Sequence, residues 1–393
     1  MPLFLPFRAL RFSTAHDLSQ VTAPPYDVLS EADRNTYLTR DPHNIVNIDL
    51  PVGNDPYATA AATLTTWRNE GTLVLDQRPS FTLYRMKFTD AEGLSRETVG
   101  VIGALEVVDE GNGGVLPHEQ TTPKAKSDRL DLTRATRCNL SPVWGLSLRE
   151  QLTDALIARG EPLGEFSDEH GVRHIVERVD DPTRVRSISS LVGSQPVLIA
   201  DGHHRYAISR SYRDEVRNSD LAAAATTTMT YVAELVESQL SIAAIHRLYR
   251  GIDAPRLQTV LAERFEISPV AGRVTPAVIG EMKRRGALCL VDNDLHGWWL
   301  IPKPDAFVGI RDLDSLRLEH ALRATTHEVA YQHGAEEVLH MMRDGVASAA
   351  VLIRPTSIGE IRRTAEERVL MPPKSTFFTP KLRTGLVLRP LDV

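Results

Sequence analysis

The sequence predicts an α+β fold. Three observations carry that reading. Short alternating or apolar segments, such as Ser80–Lys87 and Val172–Val179, have the period of strands. Stretches such as Tyr57–Glu70 and Asp181–Leu191 have helical spacing and stand between them. At Gln195–Asp214, QPVLIADGHHRYAISRSYRD, a strand hands over to a helix across a turn crowded with polar side chains.

Taken in order, Val21–Ser30 comes first. Its prolines hold Ala23-Pro24-Pro25 extended and present Tyr26-Asp27, either as a placed carboxylate or as a surface turn. Ser30 reads as a helix N-cap with Asp33 as its capping partner. Asn44–Leu50, NIVNIDL, alternates and predicts a strand. Tyr57–Glu70 predicts a helix closed near Gly71, followed by strands at Ser80–Lys87 and Thr98–Val108. Gly100 and Gly103 in the latter point to a bulge or a close backbone approach.

Gly111–Gly114 is a flexible break. After it, Leu116–Leu132 gathers His118, Glu119, Thr121, Thr122, Lys124, Lys126, Asp128 and Arg129. Pro117 and Pro123 exclude a regular helix across its first half, and Ser127 reads as the N-cap of a helix through Thr136. Glu119 has the chemistry of a general base or a metal ligand, and Lys124 or Lys126 that of a phosphate counter-ion. A solvated charged loop is the plain alternative. Asn139–Leu148 reads as a strand, Gln151–Gly160 as a helix, Val172–Val179 as a strand and Asp181–Leu191 as a helix.

Pro196–Ala200 is a buried-strand run stopped by a turn, and the helical pattern begins at Arg205. Asp201, Gly202, His203, His204 and Arg205 therefore occupy a strand-to-helix turn. Turning the chain does not require that chemistry. A helix N-terminus offers free N–H groups and a positive dipole end, and glycine lets a ligand approach the backbone. With Arg205 and the imidazoles added, the turn predicts an anion site, most naturally for phosphate. The alternative is that Asp201 caps the helix and the histidines pack or face solvent.

Asp220–Thr228 is rich in alanine and threonine, and strands follow at Met229–Val236 and Leu240–Ile245, with His246-Arg247 at a strand end. Beyond Gly251 the pattern predicts helices at Arg256–Phe265, Thr275–Arg284, Leu313–Arg323, Glu336–Asp344 and Ser357–Val369. It places a hairpin at Ala287–Asp292 with Gly297–Pro302, and a strand at Ala347–Ile353. Thr275 is the expected N-cap of its helix, with Pro276 in the first helical position. His327-Glu328 with His333 is not a zinc motif, because the histidines are too far apart for one helical face. The tail, Met371–Leu388, brings Lys374, Ser375, Thr376 and Lys381 beside two phenylalanines. It is read either as closing a site or as docking on the core. The expected organisation is an α+β region over 1–110, a core over 111–250 and an α+β region over 251–393 whose tail (371–388) packs back on the site.

The chain has 393 residues and a net charge of −6, which argues against a general nucleic-acid binder. Met1–Phe12 is apolar but broken by prolines and arginines, so no signal peptide or membrane span is expected. Two distant cysteines, Cys138 and Cys289, fit no metal spacing or disulfide framework, so a cytoplasmic location is expected. The P-loop, the dinucleotide fingerprint, the GxSxG elbow and the protein-kinase signatures are all missing.

The order APPYDV, HE-T with DR downstream, ADGHHRY, then PPKSTFF-PKL-TGLV resembles a large bacterial family catalogued as a domain of unknown function. Through DGHHR that family is similar in turn to free serine kinases of ParB/sulfiredoxin-like fold. The resemblance implies such a core around the strand–DGHHR–helix unit. Asp201, Gly202, His203, His204 and Arg205 would hold nucleotide phosphates, with Lys124 and Arg129 adding positive field. The base would be Asp27 or Glu119, with His118 beside them as a further catalytic candidate. Mg²⁺, near Asp201 or Glu119, and ATP or ADP are the implied cofactors, and a small hydroxyl compound, perhaps free serine, the implied acceptor. Two other readings remain at this point: a ParB-like nucleotide switch without turnover, and a metal-assisted hydrolase.

Overall fold

The computed structural model describes residues 1–90, 93–109, 111–119 and 126–393. The architecture is mixed α+β with several sheets. The chain divides into two compact units, Met1–Ser241 with Pro380–Val393, and Ile242–Thr379. The tail that reads as one segment is thus shared, with Lys374, Ser375 and Thr376 in the second unit and Lys381 in the first.

The first unit is built on a nine-stranded mixed sheet. Its order is Val115–Pro117, Val197–Asp201, Val143–Ser147, Thr227–Glu234, Ser95–Glu106, Phe81–Thr89, Arg173–Val179 and Glu161–Ser167, and Phe4–Leu5 pairs with Ser95–Glu106. Val197–Asp201 runs parallel to Val115–Pro117 and antiparallel to Val143–Ser147. It therefore lies inside the sheet, and its apolar run is buried: Val197, Leu198, Ile199 and Ala200 are at most 4% exposed. Val197, Leu198 and Ile199 each contribute roughly 1.5–3 kcal/mol through burial.

The close approaches expected at the sheet glycines are present. A Cβ on Gly100 would fall 2.3 Å from the Tyr231 ring, and one on Gly103 2.5 Å from Phe4. A second apolar cluster joins Trp67 and Leu64 of the helix Pro56–Asn69 to Tyr37 of the helix Glu31–Arg40 and to Leu132 of the helix Lys126–Thr136. The capping box expected at Ser30 and Asp33 forms in full.

The second unit carries a six-stranded antiparallel sheet. Its order is Phe265–Arg273, His296–Pro302, Leu288–Val291, Ala349–Leu352, Ile245–Arg250 and Glu328–His333. The central strands are covered on both faces. Leu288 and Leu290 join one apolar cluster, and Cys289 and Val291 join another. That is why LCLV reads as an unbroken apolar run.

Several local expectations are corrected. Asn44–Leu50 is not a strand; Val46–Asp49 is a short helix. Asn44 is fully buried, and its side chain accepts from Val46 N at 3.1 Å and donates to Gln20 O at 2.6 Å. Those local bonds favour a turn over a ladder. Ser127 lies inside the helix Lys126–Thr136 rather than capping it. Thr275 does not cap the next helix, which starts at Val278 after Ala277. The helix expected to reach Phe265 ends at Leu261. Asp253 caps it early by accepting from Arg256 N at 3.0 Å, and Phe265 opens a strand. His246-Arg247 sits within the strand Ile245–Arg250, not at its end.

Candidate functional site: the Asp201–Arg205 turn

The strand Val197–Asp201 meets the helix His203–Glu215 at Gly202. Two backbone features shape the junction. A bulge between Ile199 and Asp201 leaves Ala200 as the extra residue against Gly145 and Trp144, which re-aims Asp201. Gly202 then adopts φ +85° and serves as the helix N-cap without any side-chain cap. Asp201 is therefore not the cap. A Cβ at Gly202 would meet Arg205 Nε at 2.9 Å, so this position requires glycine twice over. The start of the helix is left with its N–H groups and positive dipole end for another acceptor.

Asp201 instead binds cations. Its Oδ2 accepts from Arg205 Nη2 at 2.8 Å, and its Oδ1 accepts from Lys381 Nζ at 3.2 Å. Burial disfavours its ionised form, but Lys381 and Arg205 outweigh burial and hold the carboxyl well below the usual range. Arg205 also donates to Pro142 O, and its Nε is buried without a partner. Burial opposes its charge, and Asp201, Asp27 and Asp49 together overcome that and raise its basicity. Arg205 is thus held against the turn, with two of its three nitrogens already engaged.

The imidazoles form a pair. His118 is fully buried, bonds Ile199 O through Nδ1 at 2.5 Å, and places Nε2 3.8 Å from Glu119 Oε2. The rings of His118 and His203 lie 4.9 Å apart. Burial, and next the neighbouring His118, push the His203 imidazole well below its ordinary value, so it is neutral at pH 7. Its Nε2 is buried and unpartnered. A neutral imidazole with a free ring nitrogen beside an uncapped helix start is a site for a hydrogen-bonding ligand.

A recess adjoins the turn, lined among others by Tyr26, Asp49, Arg129, Asn139, Ser141, Arg205, Ser209 and Thr228. Asp27 is exposed on the short turn Tyr26–Val28, and Tyr26 carries the guanidinium of Arg129 over its ring at 4.0 Å. Arg129 donates from Nη1 to both the carbonyl and the Oδ1 of Asp49, the latter at 3.3 Å. Asp49 is 3% exposed. Burial raises its carboxyl, partly offset by Arg129 and Arg205.

The structure therefore brings Asp201, His203, Arg205, Lys381, His118 and Glu119 to one turn and Arg129 to the adjoining recess, while Asp27 follows the recess-lining Tyr26 on an exposed turn and does not itself line the recess. Thr121, Thr122 and Lys124 lie outside the described residues. In the second unit, Ser375 donates to Pro372 O at 2.7 Å, and the carbonyls of Lys374 and Ser375 accept from Arg247 and Thr356. Asp49 was missed by the sequence reading. Its one signal was a carboxylate closing an apolar run.

A family model described as "Protein of unknown function (DUF1015)" matches residues 4–346. The chain belongs to that family. No curated protein matches this DUF1015 member. Among solved structures it is similar to a free serine kinase in complex with AMP, at 13% identity, over 68% of this chain and 84% of that one, with a TM-score of 0.37. It is also similar to SbnI with a C-terminal truncation from Staphylococcus aureus, at 13% identity, over 74% and 87%, TM-score 0.40. A conserved hypothetical protein from Pyrococcus furiosus matches at 12% identity, over 68% and 87%, TM-score 0.38. Among the described residues no helix is long and apolar enough to cross a membrane.

Proposed function

We propose that this DUF1015 chain is a nucleotide-dependent phosphotransferase acting on the hydroxyl of a small molecule, with free serine the first acceptor to try, on a ParB/sulfiredoxin-like core. The observation that carries the reading is the Gly202 junction. An uncapped helix start, a neutral His203 with a free ring nitrogen, and the Lys381–Asp201–Arg205 cluster face one turn. In this reading the N–H groups of His203, His204 and Arg205 cradle the phosphates of ATP or ADP. The Arg205–Lys381 pair stabilises the charge that spreads over the transferring group. His118 fixes the orientation of His203 through ring contact.

The acceptor hydroxyl sits in the recess beside Tyr26 and Asp49; its oxygen bonds the terminal phosphorus as the bond from that phosphorus to the bridging oxygen breaks, releasing ADP from ATP or AMP from ADP, and a nearby carboxylate takes the hydroxyl proton. Asp27 and Glu119 are the candidates from sequence. Asp49 joins them, because burial has already raised its proton affinity. Mg²⁺ supplies charge neutralisation when bound with nucleotide. Both oxygens of Asp201 are engaged by Lys381 and Arg205, so Asp201 fits poorly as its ligand; Glu119 is the other carboxylate of this turn, and where it holds the metal the base is Asp27 or Asp49.

The test is to incubate the chain with ATP or ADP, Mg²⁺ and free serine or other small alcohols, and to follow the phosphorylated product by mass spectrometry. Product formation that stops in Asp27→Asn, Glu119→Gln or Asp49→Asn, with nucleotide still bound, supports the reading and picks out the base. Nucleotide binding without product from any acceptor overturns the transferase and leaves a nucleotide-operated switch.

A further inference from the structure

Away from that turn, the first unit gathers two imidazoles and a carboxylate that the proposed function does not use. His16 lies in the turn after the strand Leu10–Phe12, Asp41 ends the helix Glu31–Arg40, and His43 follows it. One potential ligand atom from each lies within 4.8 Å of the other two. Ligand atoms around one tetrahedral zinc stand about 3.3 Å apart, so side-chain rotations of about an ångström bring the three into range.

The backbone beneath them is held in place. His16 N donates to Ser13 O at 3.0 Å, and Asn44 N donates to Asp41 O at 3.0 Å. Asp41 Oδ1 accepts from His43 N at 2.7 Å and lies 3.3 Å from His43 Nδ1. That contact holds the His43 ring beside the carboxylate, so the two side chains present ligand atoms to the same place. The rings of His16 and His43 meet at 5.0 Å and 66°. Trp67 and Phe12 wall the inner side, with Trp67 5.5 Å from His43 and Phe12 5.9 Å from His16. The outer side is open, since the side chains of His43 and Asp41 are 31% and 26% exposed.

We propose that His16, Asp41 and His43 form a binding site for a first-row divalent cation, with an open face for water or a further ligand. Two imidazoles and one carboxylate suit zinc, cobalt, nickel or copper rather than magnesium or calcium, which take oxygen ligands. A second cluster, Asp292, Asp294 and His296, is the internal control. It offers one imidazole and two carboxylates, a set that suits such a cation less well than two imidazoles and one carboxylate.

The experiment uses the full chain stripped with chelator. Zinc is titrated against a competing chromophoric chelator, and cobalt is titrated while visible absorption is recorded. The expected result is one tight equivalent per chain and four-coordinate cobalt bands. Both are retained in Asp292→Asn, and affinity falls by about tenfold or more in His16→Gln and His43→Gln. Cobalt binding should also quench part of the tryptophan emission, because Trp67 packs on His43, and that quenching should be lost in Trp67→Phe while the cobalt affinity is kept. No saturable equivalent in the wild type, or equal affinity in the two histidine variants shown by circular dichroism to be folded, overturns the proposal.

Discussion

The molecule carries the pair His-Arg in two settings, His204-Arg205 and His246-Arg247. In the sequence both mark the boundary of a strand. His204-Arg205 follows a glycine at φ +85° in the first turn of a helix. There the neighbouring His203 keeps an unpartnered ring nitrogen, and Arg205 keeps an unpartnered Nε. His246-Arg247 lies within a paired strand, with both residues 2% exposed. His246 Nδ1 accepts from Ile353 N at 3.2 Å. Arg247 donates to Ile245 O and, at 3.2 Å, to Lys374 O, and it sits 4.9 Å over the Tyr331 ring. The same two residue types thus serve the fold in one place and stand at the proposed phosphate turn in the other. The backbone decides which.

Substitutions should separate the two settings. The largest effect on stability is expected at Arg247. Arg247→Ala removes bonds inside the second sheet and its stacking on Tyr331, and should cost about 3 kcal/mol in chemical denaturation. Nucleotide affinity of the folded fraction should not change. An equal loss of affinity would erase the distinction between the two pairs.

Acid sharpens the comparison next. Burial, and then the neighbouring Arg247, push the His246 imidazole down to about 4. The unfolded chain therefore takes up this proton first. Stability due to neutral His246 is complete above about pH 6.5 and is lost as pH falls toward 4, by roughly 3 kcal/mol. His203 is depressed in the same direction and adds to the loss. Denaturation followed between pH 7 and 4 should show a shallower slope in His246→Gln than in the wild type. An unchanged slope would mean that His246 titrates normally.

Gly202→Ala should cost about 1–2 kcal/mol, because a side chain there meets both a left-handed backbone and Arg205. The smallest change is expected from Lys381→Met. It leaves Asp201 with Arg205 alone, so the carboxyl rises toward its ordinary value. The lowered Asp201 carboxyl contributes stability that is present above about pH 4 and lost below it, as pH falls through the folded value. Removing Lys381 should shrink that acid-sensitive part by about 1 kcal/mol. An acid limb identical to that of the wild type would show that Lys381 does not hold Asp201.

Much of this was legible in the sequence for identifiable reasons. The Ser30–Asp33 capping box, the strand-to-helix handover at Asp201 and the hairpin near Gly297 follow from local rules of capping, period and turn chemistry, and those rules held. The polar crowding of the turn marked the place where the proposed site lies. Three things were hidden. The bulge at Ala200 depends on how Val197–Asp201 pairs with Val143–Ser147, which only the assembled sheet fixes. Asp49 enters the recess because buried Asn44 bonds its neighbours and converts an apparent strand into a helical turn. Glu161–Ser167 and Phe265–Arg273 form as strands although Gly164 and Pro269 sit inside them. Each pairs along a seven-residue neighbour that supplies the ladder.

The most direct measurement is calorimetric titration of ADP with Mg²⁺ into the wild type and Gly202→Ala, each first shown to be folded at the working temperature. Binding by the wild type, weakened about a hundredfold or more in Gly202→Ala, is the result expected if the helix start at the turn holds phosphate, since the added Cβ displaces Arg205 and strains the left-handed turn that presents the N–H groups. Equal affinity in both proteins, or no heat of binding in the wild type, would contradict a phosphate site at Asp201–Arg205.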